Sequence, residues 1–544
     1  MNERTETALP VGAEQLAEAA ETLRRYAAAK APLEQRIAED ELWWLLRQGE
    51  AKTPGSPCAP ELPEARSAWL FNTILNKHAD VMDNYPEPVV LPRERSDEES
   101  ARTLSAVLPA LLESCSFEQT WSDLAWDKLK HGTAVWGVFW DSSKLGGLGD
   151  VDIRGVDLMK IFWEPGVRDI QKSRNLFLVD LADTDALEAR YPQFAGRLSG
   201  VWPGAVRSYA GGEEADLSKK SVVVDWYYQR RTPEGRTLLH YVKFCGDCLL
   251  YASENDPAYA ARGFYDHGRY PVVFDVLFPR KGSPAGFGYI SVTKNPQQFI
   301  DRLSSSILET SMMAAKKRFF VSTSTNVNPA QFADWEQRIV PVEGELSDTR
   351  IREIRVDPVP GVCMEVLREK IAEMKDTAGN RDVNSGQTGS GVTAAAAIVA
   401  LQEAGNKSSR DLISAGYRAH CAVMGLAIEL MRQFYDEARV FRIAGADGGE
   451  GSYVILGSDA LRERLGGIGA DGQTLWRKPV FDLKIKAQKR NPFSRMELNE
   501  RAKELFALGF FNPARAGEAL AALEMMDFEG VEAVRARVRR GAGL

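Results

Sequence analysis

Apolar positions recur every three or four residues in four segments of the first 131 residues, which is the spacing of an amphipathic helix. These segments are Ala13–Arg47, Glu64–Met82, Asp97–Ser114 and Phe117–His131. A stretch rich in proline and glycine, Thr53–Pro63, separates the first two helices and predicts a boundary between them. A short extended segment, Glu87–Leu91, is predicted between the second and third helices.

From residue 134 to residue 278 the pattern changes to short runs of β-branched and aromatic residues, which predict strands. The runs are Ala134–Trp140, Val151–Val156, Ile161–Trp163, Leu176–Asp180, Val222–Gln229, Leu238–Phe244 and Val272–Leu277. The first half of the chain is therefore predicted to be a mixed α/β domain.

A pair of cysteines, Cys245 and Cys248, encloses Gly246-Asp247 between two strand-like runs, Leu238–Phe244 and Leu249–Ser253. Glycine and aspartate suit the turn of a hairpin, and this is the interpretation that we favour. A zinc or redox site is the alternative. A zinc site needs further ligands, and the nearest histidines, His240 and His267, do not form a recognised pattern with the cysteines.

Helical spacing returns at Ser291–Lys317, after the loop Pro279–Gly288, and again between Cys363 and Met374. The segment between these helices, Phe319–Pro360, lacks helical spacing and contains β-branched residues, prolines and acidic groups. Two helices that bracket a short compact insert predict a stalk with a small domain at its tip.

The glycine-rich polar segment Thr377–Gly391 predicts a flexible loop, and helical spacing then runs across Thr393–Asp436. Three glycines in this long helix favour kinks or close helix contacts: Gly405, Gly416 and Gly425. The remaining predicted elements are strands at Val440–Ile443, Tyr453–Leu456 and Val480–Ile485, and three short helices within Pro492–Arg540.

The composition of the chain restricts the classes of protein to which it can belong. The chain has 544 residues, of which 44% are hydrophobic and 26% charged, enough for several folded domains. Its longest apolar run, Ala394–Leu401, is too short to span a bilayer, and its polar, acidic first residues do not resemble a secretory signal. Six scattered cysteines suggest buried thiols in a reducing compartment. We expect a protein that is made and assembled in a cytoplasm.

The net charge of −8 argues against tight binding of duplex DNA, because such binding relies on Lys and Arg contacts to phosphates. Residues 478–544 carry 13 Lys and Arg against 9 Asp and Glu, so this tail is +4 and the remainder is −12. A basic tail on an acidic body suits weak or sliding contact with nucleic acid, and it equally suits a solvated helical face.

One segment resembles a nucleotide-binding loop. Gly386–Thr393 fits the frame of Gly, four residues, Gly, Lys and Ser/Thr, but Val392 occupies the lysine position. That lysine contacts the β- and γ-phosphates, and the polar segment Asn380–Ser385 stands where a buried strand is required. The sequence has no Gly-x-Ser-x-Gly or His-Glu-x-x-His motif, and its five histidines are not at ligand spacing. We therefore predict no enzyme activity, no metal and no cofactor.

The order of elements resembles that of the portal proteins of tailed bacteriophages. The resemblance rests on Tyr270-Pro271-Val272-Val273 leading into Pro284–Gly288, and on the helix Ile290–Leu308 with its start Asn295-Pro296-Gln297-Gln298. It rests also on Asn380–Ala404, where a Gly/Ser/Thr loop passes into an Ala-rich helix. The resemblance covers roughly Pro63 to Arg540, and the first 60 residues match nothing that we can place.

The resemblance implies an α+β fold with a mixed α/β wing, a helical stem, a small α/β clip insert, a long kinked tunnel helix and a helical C-terminal crown. On this sequence the implied divisions are an N-terminal helical arm at 1–62, the wing at 63–289, stem helix 1 at 290–318, the clip at 319–360, stem helix 2 at 361–378, the tunnel loop at 379–391, the tunnel helix and the rest of the wing at 392–477, and the crown at 478–544.

The resemblance also implies a homo-oligomeric ring, commonly a dodecamer, at one vertex of the capsid. Double-stranded DNA would pass through it without sequence-specific contacts during packaging and ejection. The clip would dock the large terminase, whose ATPase is a separate protein, and later the head–tail adaptor. The major capsid and scaffolding proteins are further implied partners, and no membrane is involved. The protein would be assembled in the host cytoplasm and reside in the virion.

Two groups of residues are expected to face the DNA channel. At the junction of stem and clip they are Lys316, Lys317 and Arg318, and in the tunnel loop they are Asn380, Arg381, Asn384, Ser385, Gln387 and Ser390. The cations at the junction also suit a helix C-terminus, where the helix dipole favours positive charge. Two rival functions remain: a packaging-associated nucleotide-binding enzyme, which needs a complete phosphate loop or a carboxylate cluster, and a non-ring scaffold or adaptor, which needs no stem around an insert.

Overall fold

The computed structural model describes most of the chain, and every structural statement below concerns the described residues. They are residues 11–47, 66–198, 219–233, 235–315, 318–321, 351–354, 360–379, 407–443, 452–457, 461–462, 464–468, 474–489, 502–524 and 531–542. Helices and antiparallel sheets are mixed along these ranges, so the α+β class is confirmed. None of the described helices combines the length and the apolar character that crossing a bilayer requires.

Four helices form in the first 131 residues, where the apolar periodicity predicts them: α1 (Ala13–Trp44), α2 (Trp69–Met82), α3 (Glu98–Ser114) and α4 (Phe117–His131). α2 begins five residues later than predicted, at Trp69. The backbone N–H of Leu70 donates to the Gln297 side chain, which caps the first turn from another part of the chain. A cap supplied from so far away in sequence is not visible in local periodicity.

The predicted strands build two antiparallel sheets. A three-stranded sheet has the order β3 (Asp150–Gly155), β2 (Thr133–Asp141), β9 (Val272–Val276). A five-stranded sheet follows chain order, with β4 (Ile161–Trp163), β5 (Asn175–Asp183), β6 (Lys220–Arg231), β7 (Thr237–Cys245) and β8 (Cys248–Ala252). A short helix, α5 (Thr184–Arg190), follows β5.

The cysteine pair closes a hairpin, as predicted. Cys245 and Cys248 are partners across the turn between β7 and β8, and Gly246 adopts a positive φ of 58° there. The Cys245 thiol is buried and donates to the Leu198 carbonyl at 3.3 Å. Burial raises the pKa of Cys245 to about 11, so the thiol stays protonated at neutral pH. These two cysteines therefore act as small core residues of a turn.

The long helix of the second half is described as α8 (Lys407–Phe434), and it forms the centre of the main core. It runs without interruption through Gly416 and Gly425. A Cβ on Gly416 would lie 3.3 Å from the Trp121 ring, so this glycine permits a close contact with α4 and does not break the helix. Residues 393–406 of the predicted helix, with Gly405, lie outside the described residues.

A strand from the end of the chain joins the first half. β16 (Phe481–Lys489) pairs antiparallel with β1 (Asn84–Pro92) along its whole length, from Asn84 opposite Lys489 to Pro92 opposite Phe481. This strand falls within residues 478–544, the range predicted as a separate crown. Its nine residues pack with the wing instead.

The other described elements are short. They include hairpins β12 (Arg439–Ile443) with β13 (Ser452–Leu456) and β14 (Arg464–Ile468) with β15 (Thr474–Arg477), and helices at 502–507, α9 (Ala516–Glu524) and α10 (Val531–Ala542). β14 and β15 were not predicted. β14 contains Gly466-Gly467, which have low strand propensity, and its register shifts at this point.

Candidate functional site

Two helices and a ribbon form a stem that leaves the mixed body. α6 (Tyr289–Ala315) and α7 (Gly361–Ala378) contact each other along their lengths. β10 (Arg318–Val321) follows α6, β11 (Ile351–Ile354) lies between the two helices in sequence, and the two strands pair antiparallel. The stem is defined here as α6, α7 and this ribbon. Residues 322–350, the larger part of the predicted clip, lie outside the described residues.

The stem begins at a closely packed bend, Pro284–Gly288. A Cβ on Gly286 would lie 2.2 Å from the Phe278 carbonyl oxygen, and a Cβ on Gly288 would lie 2.2 Å from the Lys130 carbonyl oxygen. Only glycine permits this approach of two backbones. The Gly286 N–H also donates to Thr133 Oγ1 at 2.8 Å. The bend predicted from sequence is therefore fixed against the end of α4 and the start of β2.

One glutamine, Gln297, ties α6 to α2. Its side chain is 1% exposed, and its Nε2 donates to the Ser67 carbonyl at 2.7 Å and to Asp301 Oδ1 at 2.9 Å. Its Oε1 accepts from Leu70 N at 3.1 Å. Asp301 Oδ1 accepts in addition from Ser67 N at 2.9 Å. The segment Asn295-Pro296-Gln297-Gln298 that carried the family resemblance is not the start of the helix, because α6 begins six residues earlier at Tyr289. Its Gln297 nevertheless anchors the stem on α2.

Helix α1 contacts the same region from the other side. Arg36 donates to the Gly286 carbonyl at 2.6 Å, and Lys294 of α6 lies 3.2 Å from Glu39. Glu41 pairs with Lys130 and, at 2.8 Å, with His131. From the sequence, α1 was expected to be an N-terminal arm, and this contact was not predicted. A helical pattern of apolar residues shows that a helix has a buried face, but it does not show which surface that face will cover.

Two neighbouring carboxyl groups of α1 differ in their electrostatics. Burial opposes ionisation of Glu41, but the hydrogen bond from His131 and the charge and hydrogen bond of Lys130 outweigh it and lower its pKa to about 2. Burial raises the pKa of Asp40 to about 6, although the charges of His131, Arg36 and Lys294 oppose this shift.

Apolar side chains remain exposed along the stem. On α6 they are Phe299, Leu308 and Met312, and on α7 they are Val362, Met364 and Val366, with exposed fractions from 38% to 61%. The buried positions of α6 lie in its first three turns, from Tyr289 to Ile300, where it contacts the wing. The rest of the stem therefore presents apolar surface on both of its helices.

The described helices on either side of residues 380–406, a range that covers most of the predicted tunnel loop (379–391) and the start of the predicted tunnel helix, both contact α2. α7 ends at Gly379, with Lys375 Nζ 5.4 Å above the Trp69 ring. α8 is held at its start by Ser409, whose hydroxyl accepts from the buried Lys77 Nζ at 2.9 Å and donates to Asp80 at 2.6 Å. The two helix ends that border residues 380–406 therefore both contact α2.

A second buried lysine holds the next turn of α8. Lys128 Nζ forms an ion pair of 2.7 Å with Asp275 of β9 and donates to the Leu412 carbonyl at 3.3 Å. Both partners of this ion pair are 6% exposed. Breaking such a pair leaves an uncompensated buried charge, so the position of α4 against β9 is strongly defined, and the hydrogen bond to Leu412 joins α8 to this pair. No local sequence pattern indicates these two lysine contacts.

Most residues predicted to face DNA lie outside the described residues. Arg318 begins β10 opposite Ile354, but its side chain lies outside the described structure. Lys316 and Lys317 lie outside the described residues, as do Asn380, Arg381, Asn384, Ser385, Gln387 and Ser390. The incomplete phosphate-loop segment Gly386–Thr393 lies outside them too. The described side chains contain no group of three or more His, Cys, Asp or Glu residues arranged to bind a metal ion.

A mixed α/β body that carries a two-helix stem ending in a β-ribbon is compatible with the fold of a phage portal subunit. Comparison with known families agrees: residues 209–544 match the family described as "Phage P22-like portal protein". No curated protein matches the chain. Because the match spans more than half of the 544 residues, the chain belongs to the P22-like phage portal protein family. It is thus a tailed-phage virion component of genome packaging, and its family is structural rather than enzymatic.

Proposed function

We propose that this subunit assembles with copies of itself into a closed ring, and that double-stranded DNA enters and leaves the capsid through the channel of that ring. The observation that carries the proposal is the exposed apolar surface of the stem. It includes Leu308 and Met312 on α6 and Val362 and Val366 on α7. A neighbouring stem presents the same kind of surface and can cover it.

The physical reason is the cost of leaving this surface in water. Each square ångström of apolar surface that is buried contributes about 25 cal/mol, so the six exposed stem residues favour association. A contact between different faces of identical subunits closes into a ring when the rotation between neighbours is suitable. In an isolated subunit this apolar surface of α6 and α7 stays in water.

The proposed division of the molecule follows the family resemblance with one change. Residues 290–318 and 361–378 are the stem helices, 319–360 the clip, 379–391 the tunnel loop, and 392–477 the tunnel helix with the rest of the wing. The crown begins after Lys489, because β16 pairs with β1 of the wing. The clip docks the large terminase and later the head–tail adaptor, and a dodecamer occupies one vertex among the capsid and scaffolding proteins.

The proposed DNA contacts are Lys316, Lys317 and Arg318 at the end of the stem and the polar tunnel loop. Support for the loop comes from its attachment: both of its flanking helices are fixed beside α2, so every subunit of a ring would project the loop from the same height. The net charge of −8 supports sparse cationic contacts that let a duplex slide.

Introducing negative charges on the apolar stem surface tests whether neighbouring stems form the interface of the ring. Leu308→Glu combined with Met312→Glu is expected to prevent ring formation, because the new carboxylates meet apolar surface of the neighbouring subunit. Leu145→Glu is the matched control, since Leu145 is 64% exposed on a loop of the wing. Light scattering with electron microscopy gives the readout. Rings of unchanged size from the double variant would show that the stem is not the interface.

A further inference from the structure

Helix α1 belongs to two separate hydrophobic cores. Leu16, Leu23 and Tyr26 in its first half lie in a core with one face of the five-stranded sheet. Ile37 and Trp43 in its second half lie in the main core, which also contains α4 and the start of α6. α1 lies outside the residues that match the portal family, so the family match does not explain its position.

The first half is fastened to the five-stranded sheet and to the loop after it. The Val11 backbone N–H donates to Asn255 Oδ1 at 2.8 Å, and Asn255 Nδ2 donates back to the Val11 carbonyl at 2.9 Å. The Tyr26 ring packs edge-on against Phe177 of β5, with 5.9 Å between the ring centres. Polar contacts at the end and apolar contacts along the face thus fix this half.

The middle of α1 crosses the edge strand β4. Lys30 is 7% exposed, and its ammonium group donates to the carbonyls of Leu158 at 2.6 Å and Met159 at 3.1 Å, just before that strand. The same group lies 4.2 Å from the centre of the Phe162 ring of β4. Pro32 follows within the helix, at the point where α1 passes from one core to the other.

The second half is fastened to the stem where the stem begins. The stem root is defined here as the bend Pro284–Gly288 and the first turns of α6, Tyr289–Ile300. Arg36 donates to the Gly286 carbonyl, which belongs to the bend, and at 3.4 Å to the His131 carbonyl. Lys294 in the first turns of α6 pairs with Glu39. These contacts join α1 to the bend and to the helix that leaves it.

We propose that α1 is a strut that holds the stem root at a fixed position relative to the five-stranded sheet. With 32 residues it spans about 48 Å as one rigid element. Arg36 is its main positioning residue, because it donates to carbonyls both in the bend and at the end of α4. α1 thereby joins the outer face of the five-stranded sheet to the stem root by one continuous helix, in addition to the packing of the inner face of that sheet in the main core.

The contacts of the stem root support this role. α6 contacts α1, α2 and α4. α2 and α4 belong to the main core with the stem root, and this core also contains Ile161, Leu176 and Leu239 from the inner face of the five-stranded sheet. Among the described helices, α1 alone continues from there to the opposite face of that sheet. The inference concerns the mechanics of the subunit and does not depend on whether the stem lines a DNA channel.

Hydrogen exchange of the full-length protein tests the strut. In Arg36→Ala, the amides of residues 289–300 are expected to exchange about tenfold faster, because a hydrogen bond from a charged donor to the bend is lost. The amides of residues 13–26 and of α8 are expected to change less than about twofold, since their cores are untouched. Arg24→Ala is the matched control: Arg24 is an exposed arginine on the same helix, far from the root.

Two more variants keep the test informative if Arg36→Ala folds poorly. Arg36→Lys retains one donor and should show an intermediate increase at residues 289–300. Lys294→Ala removes the pair with the partly exposed Glu39 and should raise exchange at the same residues without loss of fold. Unchanged exchange at 289–300 in these variants would overturn the proposal. A uniform increase along the whole chain would overturn it too, because Arg36 would then support overall stability and not the position of the stem.

Discussion

The most unusual side chain of the described structure is the Asp40 carboxylate. It is fully buried, and neither of its oxygens has a hydrogen-bond partner within the described ranges. Burial raises its pKa to about 6, so it is largely ionised at neutral pH in a place that disfavours the charge. Its neighbour Glu41 is held by Lys130 and His131 and has the opposite shift. The environments of these adjacent positions thus shift the pKa of their carboxyl groups in opposite directions.

The shift of Asp40 predicts a pH-dependent effect of its removal. The folded chain binds this proton more tightly than the unfolded chain, whose aspartate titrates near a pKa of about 3.9, so the stability of the fold falls as pH rises from about 4 to about 6. Asp40→Asn should therefore raise the free energy of unfolding at pH 7.5 by about 1–2 kcal/mol and change it little at pH 4.

Denaturant unfolding at the two pH values measures this difference. Glu21→Gln is the control, because Glu21 is an exposed glutamate on the same helix. Equal loss of stability from Asp40→Asn at both pH values would contradict the interpretation, since it would mean that the carboxylate makes favourable contacts in its ionised form.

At the scale of elements, the segment between α7 and α8 is the part of the molecule most directly tied to the proposed function. The helices that border it are held by defined contacts. Gly379 is the C-cap of α7, and Lys77 and Lys128 donate to residues in the first turns of α8. Fixed ends allow the loop composition to change without disturbing the helices that carry it. This makes the loop a suitable place to test DNA contact separately from assembly.

We expect deletion of Val383–Gly389 to leave ring assembly intact and to lower the amount of DNA retained in full heads. Arg381→Ala should have a milder effect and Arg381→Glu a stronger one, because each solvated contact contributes about 1 kcal/mol or less and a ring adds them up. Arg102→Glu, on a wing arginine that is 85% exposed, is the matched charge control. Wild-type retention in the deletion and both Arg381 variants would remove the loop from the DNA path.

Loss of rings after the loop deletion has a different meaning. It would show that the loop is a structural connector, and the proposed DNA contacts would then be confined to Lys316, Lys317 and Arg318. Quantifying DNA in purified heads, together with electron microscopy of the same variants, separates the two outcomes.

Across the whole molecule, local patterns were enough to predict most elements. Periodicity predicted α1 to α4, the strands of both larger sheets, the bend Pro284–Gly288 and the stem helices, because each depends on residues close together in sequence. Contacts between distant segments were not predictable. The pairing of β1 with β16 and the contact of Arg36 with Gly286 depend on the packing of the whole chain.

The same distinction applies to the candidate site. Gln297 was found because it belongs to a family motif, and its role as an anchor became clear only from its contacts with Ser67 and Leu70. Lys77 and Lys128 had no local signal, since a buried lysine looks like any surface lysine until its partners are known. Lys77 pairs with Asp80 of its own helix and bonds Ser409 of α8, and Lys128 pairs with Asp275 of β9.

Electron microscopy of the purified full-length protein is the most direct test of the proposal that this portal subunit forms a ring. We expect closed rings with a central hole over a range of salt concentrations, because neighbouring stems in such an assembly cover the apolar surface that is exposed on both stem helices. Particles of a single 60.3 kDa chain at every salt and protein concentration would contradict the account.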